Sequence, residues 1–473
     1  MKYFRLSSLS ASVLTLAVIG GATMGLMTSA ACAQEAESIS SLFTPNSRNQ
    51  KVMDIEAAIA QAQAGHGVIP QSAADQISAK AKTQFIPLDE ISREYKKTNH
   101  RMVALLNVWN RSLDPSAANY LHYGVTTVDI YDSVRVLQVR DTINILIDDM
   151  RDIETSLLLL AEENRDTVMV GRTLGQHALP ITFGKKVSVW AAQNRRNIER
   201  LKDLLTRVES RGVLKGAVGT HLGLGPKGID IERDVSARLG LGAPDPADWH
   251  GSRDVFAEYG QVLALISKSY GAMAEEVFRL MTTDIGELSE RQADSNVGSS
   301  TMPHKKNPRR PERVVAHSRK IPRLAEILLD DVANSFERDN TSGPNRVIEE
   351  ISLEAEDLMR DTKRMISVID VNPARMRTNL DQTDGMVMAQ RIMLFLSDYI
   401  DRSDAEHRVR EAARLSLESA MSFREALQND PVLSKPLTGH LDELLDPQGY
   451  LGLAAEQVDE TRQYIEKRRA TDP

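Results

Sequence analysis

Three stretches of the chain repeat apolar residues at steps of three and four over roughly 20 residues each, and this repeat constrains the fold more than any other feature. The first runs Ile143, Leu146, Ile147, Met150, Ile153, Leu157 and Leu160, with Asp148, Asp149, Arg151 and Asp152 on the opposite face. Val187, Trp190, Ala191, Asn194, Ile198, Leu201, Leu205 and Val208 form the second, and Val255, Tyr259, Val262, Ile266, Tyr270, Met273, Val277 and Leu280 the third. Stripes this close to a heptad pack as nearly parallel bundles. No comparable run alternates with period two, and aromatic residues are only 5%, which favours helix over sheet. The expected fold class is all-α. Helices that are apolar on two sides need more partners than one chain supplies, so a shared bundle in an oligomer is also expected.

A chain of 473 residues is long enough for two or three domains. Residues 34–123 read as a region of shorter helices, broken at Gly65, Gly67, Pro70, Pro87 and Pro115. A central block of long helices spans 124–370. Asn372-Pro373 then offers an N-cap and a first-turn proline, opening a C-terminal helical block over 371–473.

Residues 1–33 have the layout of a secretory signal peptide. Lys2 and Arg5 precede an uncharged apolar run from Ala11 to Leu26, and Ala31-Cys32-Ala33 supplies an A-x-A cleavage site. Gly20, Gly21, Thr23 and Ser29 dilute the run, which is short for a span of about 20 apolar residues. Acylation of Cys32 is the weaker alternative, because Ser29 stands where a lipoprotein signal carries Leu. The expected location is the periplasm or the exterior, with no membrane attachment after cleavage. Cys32 is the only cysteine, so the mature chain lacks thiols, and disulfides, thiolate catalysis and cysteine-bound zinc are excluded. Without Lys2 and Arg5, 56 basic side chains face 66 acidic ones, a net charge of −10 that argues against nucleic acid as a partner.

Polar segments separate the long helices. His122-Tyr123-Gly124-Val125-Thr126-Thr127-Val128-Asp129 precedes the first stripe, with Asp129 or Thr127 as a natural N-cap. Gly171 to Pro180 (GRTLGQHALP) precedes the second, Gly212 to Leu224 is a glycine-rich break, and Gly298 to Pro308 reads GSSTMPHKKNP. In this order they resemble the fumarase/aspartase superfamily, also called the fumarate lyase family. GSSTMPHKKNP is similar to that family's GSSxMPxKxN signature at every fixed position. GVTTVDIYDS resembles its TSxDxxDT region, with departures at Thr127 and Ser133, and GRTLGQHALPITFG resembles GRTHGQxAxPxTFG. Asp54 to Ala60 with Gly67-Val68-Ile69-Pro70 resembles the family's opening. The likeness runs from about Ser41 into the C-terminal block, nearest to adenylosuccinate lyase and 3-carboxy-cis,cis-muconate cycloisomerase.

The resemblance implies a homotetramer with a central bundle of long helices, its active sites built from segments of three subunits, and neither metal nor organic cofactor. It implies removal of a proton beside a carboxylate and expulsion of an amine or oxygen from the next carbon. The intermediate spreads negative charge onto the carboxylate, so the site must gather cations and hydrogen-bond donors. By motif position Ser299 is the base, its alkoxide stabilised by nearby positive charge. Ser300, Met302, Lys305 and Asn307 line the loop, with Lys305 and Asn307 on the carboxylate. Thr126, Thr127, Thr173 and Gln176 offer neutral donors for the second carboxylate, and Arg172 is a further expected substrate contact. The basic run Lys306, Arg309, Arg310, Arg313, Arg319 and Lys320 reads as a solvated helix face.

Two departures stand out. The lyases carry a histidine in RTHGQ where this chain has Leu174, which moves no proton. His177 and His100 are the remaining candidates for the general acid, and a structural role is the alternative for each. The segment from Phe336 to Arg346 resembles the family's ERD segment, in which Arg338, Ser342 and Arg346 would meet an anion. It is one residue short and contains Gly343-Pro344, which argues against a nucleotide.

Three functions follow. The first is an exported lyase that cleaves C–N or C–O on a small polycarboxylate and releases fumarate or a similar acid. The second is a cycloisomerase of the 3-carboxymuconate type, favoured by Leu174 with His177. The third is an inactive binding or structural homologue.

Overall fold

The helical period becomes helix at every stripe. The computed structural model describes residues 38–212, 214–246, 249–291, 301–302, 304–333, 335–340 and 346–472, with 19 α-helices among them. The leader, Ser299, Ser300 and Ser342 lie outside the described residues. The elements that shape the site are α1 (Pro45–Gly65), α2 (Arg101–Asn110), α3 (Thr127–Glu163), β1 (Val168–Thr173), β2 (Gln176–Thr182), α4 (Phe183–Glu209), α5 (Asp254–Leu280), β3 (Leu288–Glu290), α6 (Arg309–Asp330), α7 (Arg346–Ser367), β4 (Ile369–Val371), α8 (Pro373–Asp381) and α9 (Ala454–Arg469). At 37 residues, α3 is about 55 Å long, at 1.5 Å per residue.

The stripes form the core. Ile143, Leu146, Met150 and Ile153 of α3 are buried with Val187, Ile198 and Leu201 of α4 and with Tyr259, Ile266 and Val277 of α5. A second cluster, around Ile392, Leu396, Phe423 and Leu427, lies in the C-terminal region. The bundle helices are not fully covered: Val189, Leu265, Ile327 and Leu329 are exposed.

Charge is also buried among these helices. Arg195 on α4 is wholly buried, and its guanidinium donates to both carboxylate oxygens of Glu154 on α3, at 2.8 and 2.5 Å. It also reaches Asp472 at 2.9 Å, while Arg469 of α9 donates to Glu154 at 2.6 Å. The network ties the end of the chain to the bundle.

Between α3 and α4 the chain forms a structure that the sequence analysis did not foresee. β1 and β2 pair antiparallel, with a register irregularity between Val170 and Arg172. A two-residue turn joins them, Leu174 at φ 52° and Gly175 at φ 77°. Positive φ at both central positions defines a type I′ turn, whose twist suits the paired strands. Glycine adopts it freely, whereas leucine rarely does. β3 and β4 form a second short antiparallel pair.

Candidate active site

The structure gathers the candidate segments into two groups. The first surrounds the N-terminus of α3. The observed N-cap is Thr126, and Asp129, three residues on, accepts from the Thr126 N–H at 2.9 Å. Thr127 is the first helical residue. Before it, the Tyr123 carbonyl accepts from Gln63 of α1 at 2.7 Å, and His122 bonds Glu56 of α1 at 2.6 Å. Burial pulls the His122 pKa down, but the hydrogen bond and charge of Glu56 outweigh it and raise the group above the usual histidine value.

The glycine-rich segment is packed directly on this helix start. A Cβ on Gly223 would lie 2.3 Å from the Gly124 carbonyl oxygen, and one on Gly124 would lie 2.4 Å from that of Gly223. Only two glycines allow the backbones to touch in this way. Asp129 also accepts from the backbone N–H groups of Lys215 and Gly216, at 3.2 and 3.1 Å. The Lys215 side chain is buried on Glu232, 2.7 Å away, and Glu232 also meets His221 at 3.1 Å. One aspartate therefore serves both as the capping-box partner of Thr126 and as the anchor of the glycine-rich loop.

The second group is the hairpin, tied through Glu287 and β3 to the start of α6. Thr173, Leu174, Gly175 and Gln176 form an exposed tip, Leu174 at 100%. Arg172 at its base donates to both oxygens of Glu287, at 2.9 and 2.7 Å. Glu287 is fully buried and also accepts from Asn379 of α8 at 2.8 Å. Arg172, expected on substrate, is held here by a carboxylate that fixes the hairpin. His177 sits opposite Arg172 in the strand register. Burial, then the Arg172 charge, holds its pKa below the usual histidine value, against the opposing charge of Glu287.

Glu287 leads into β3, where Glu290 accepts from the Arg310 N–H at 2.7 Å, closing the base of the signature loop. Within that loop Lys305 is exposed and its ammonium makes no ion pair among the described residues. Met302 is 42% exposed and Asn307 half-buried. Beyond the loop the basic run is partly paired, Arg313 with Asp361 at 3.1 Å and Lys320 with Glu354, as befits a helix face.

His100 is the N-cap of α2, its Nδ1 accepting from the Val103 N–H at 3.3 Å. That contact leaves the ring proton on Nε2. Arg338 is exposed and donates to Asn340 at 2.6 Å, and Arg346 is the exposed first residue of α7.

His250, Arg253, Arg135 and Glu287 carry no motif in the sequence that marks them. A signal for the first three was present, because Asp129 and Asp132 stand three apart on one face of an apolar helix. Buried carboxylates in that position demand cations.

This order of helices, with a hairpin tip and a basic loop between them, matches a known family model. A model described as "Lyase" covers residues 31–322, and one described as "Adenylosuccinate lyase C-terminus" covers 385–461. The chain belongs to the fumarate lyase superfamily. Among relatives, an N-acetyl-S-(2-succino)cysteine lyase of Dickeya dadantii is 33% identical over 428 residues, 90% of this chain and 94% of the relative. An adenylosuccinate lyase of Methanocaldococcus jannaschii is 34% identical over 425 residues, 89% and 92% of the two chains. A crystal structure of 3-carboxy-cis,cis-muconate lactonizing enzyme from Pseudomonas putida superposes with a TM-score of 0.83 at 29% identity, covering 91% of this chain and 97% of that one. This superfamily member is thus similar over about nine-tenths of its length to two differently named lyases and a lactonizing enzyme.

Proposed function

We propose that the protein eliminates a thiol from a succinylated thioether, releasing fumarate. The observation that carries this reading is Leu174. It occupies the place of the RTHGQ histidine, at the tip of a rigid hairpin, and carries no proton. An amine leaves a carbanion only when protonated, so it needs an acid. A thiolate, with an ordinary pKa near 8.5, departs unprotonated at a modest cost. The relative from Dickeya dadantii is named for cleavage of such an adduct. Ser299 takes the proton beside the carboxylate, the electron pair forms the double bond, and the carbon–sulfur bond breaks with its pair on sulfur. Lys305 and Asn307 hold the carboxylate on which charge develops, and Thr126, Thr127, Thr173 and Gln176 hold the other.

A series of S-succinyl thiols tests this reading. With no acid at position 174, turnover should rise as the thiol's own pKa falls, and N-succinyl analogues should turn over at least about 100-fold more slowly. Equal rates for the sulfur and nitrogen substrates would contradict it. The second reading is lactone formation from 3-carboxymuconate, favoured by His177 beside Leu174. Ligand-dependent melting shifts without turnover of any substrate would point instead to a binding homologue.

The functional form proposed is a homotetramer with sites shared between subunits. Exposed Val189, Leu265, Ile327 and Leu329 supply apolar surface for a shared bundle. Mixing inactive Ser299→Ala chains with inactive Gln176→Ala chains should restore part of the activity. An active monomer by light scattering would rule the arrangement out. Export rests on the leader, and the mature chain is expected to begin at Gln34.

A further inference from the structure

We infer that His250 is a positioning residue: its imidazolium, clamped between Asp129 and Asp132, holds the Thr126–Thr127 helix start and the glycine-rich loop in one fixed geometry. The side chain is wholly inaccessible. Nδ1 lies 2.7 Å from Asp132 and Nε2 lies 2.9 Å from Asp129. Carboxylates only accept, so both ring nitrogens must donate, and a ring that donates twice is charged. The inference holds for any leaving group, and it rests on the proposed reading only in assigning Thr126 and Thr127 to substrate.

The geometry explains why a cation is placed there. The same Asp129 that meets His250 accepts from the Thr126 N–H and from the N–H groups of Lys215 and Gly216. Moving His250 therefore moves the acceptor on which both loops depend. Asp132 is held in turn by Arg253, at 3.2 Å to each oxygen, and by Arg135. Gly251, beside His250, packs on the Glu337 carbonyl, which brings the ERD segment to the same cluster.

The charged groups around the ring are Asp129, Asp132 and Arg135 from α3, Arg253 from its own loop, and Lys215 paired with Glu232 on the glycine-rich side. Asp331 and Arg338 act on Arg135 from farther out. Burial alone would make the imidazole less basic, but hydrogen bonds to the two aspartates reverse this and raise it above the usual value. A raised histidine contributes stability that is complete below the unfolded value, near 6.5, and is lost as pH rises through the folded one. The loops should therefore loosen on the alkaline side.

Proton spectra of the full-length protein and of His250→Gln, with fumarate binding measured by calorimetry between pH 6.5 and 9, test the inference. Two exchange-protected imidazolium N–H signals should be present in the wild type at neutral pH and absent from the variant. Fumarate affinity should fall about tenfold in the variant at pH 7, and the wild type should approach that weaker value as pH rises. His317→Gln, which removes another histidine between two carboxylates, should leave the signals and the affinity unchanged. Loss of fewer than two ring N–H signals, or unaltered fumarate affinity, in a folded His250→Gln protein overturns the inference. If that variant does not fold, Asp132→Asn keeps the ring and should shift the loss of affinity to lower pH, and an unmoved profile overturns the inference equally. Absence of fumarate binding to the wild type would instead count against the proposed reading, since the proton signals do not depend on it.

Discussion

Replacing Ser299 by Ala is expected to lower turnover by two or more orders of magnitude, about what loss of a general base removes. Substrate binding should survive, because in the proposed mechanism the hydroxyl would act only while the proton is moving. Lys305→Met should behave differently and weaken both binding and turnover. In the proposed reaction its exposed ammonium would face a carboxylate in the ground state and more strongly in the transition state. Neither change should shift the melting temperature much, since a polar loop adds little to the core. Pre-steady-state and equilibrium measurements on the two variants separate these effects. Near-normal turnover by Ser299→Ala on the true substrate would show that the serine is not the base.

The largest stability effect is expected at Arg195. Removing this guanidinium as Arg195→Met leaves Glu154, at 0% exposure, and Asp472, both nearly dry, with fewer cations. Breaking a buried pair from one side costs about 3–5 kcal/mol, because the remaining charge is stranded. Arg469 and Lys202 still reach those carboxylates, so the lower end of that range is expected. The same network fastens α9 to α3 and α4, and the variant should also lose protection of its C-terminal helix in hydrogen exchange. The exposed pair of Arg414 and Glu418 is the control, and its removal should leave the denaturation midpoint within error. Equal midpoints for Arg195→Met and the wild type would show that the bundle does not depend on the network.

The helices were legible in the sequence because burial of one stripe per helix leaves a period of three and four, and Met150, Ile198 and Val277 all fall where that period puts them. The hairpin was not. Its strands, VMVGRT and QHALPIT, do not alternate apolar with polar residues, and its turn is read from φ at Leu174, a residue that carries no turn signal. Gly175 was the only hint. The motif residues Thr126, Gln176 and Lys305 could be named from the sequence because the signature has fixed spacing. The parts that hold them could not, because His250 lies 121 residues from Asp129 and Glu287 lies 115 from Arg172. Pairings at such separations are set by tertiary packing and leave no local period. Arg172 illustrates the difference: its motif position suggested a ligand for substrate, and only the structure shows Glu287 behind it.

The central claim, elimination of a thiol to give fumarate, is tested most directly by the products of the wild-type protein incubated with S-(2-succino)cysteine and its N-acetyl form. Proton NMR should show the fumarate vinyl signal growing in step with free thiol, in equal amounts and without added metal or cofactor. No vinyl signal from either compound, together with lactone formed from 3-carboxymuconate, would contradict the account.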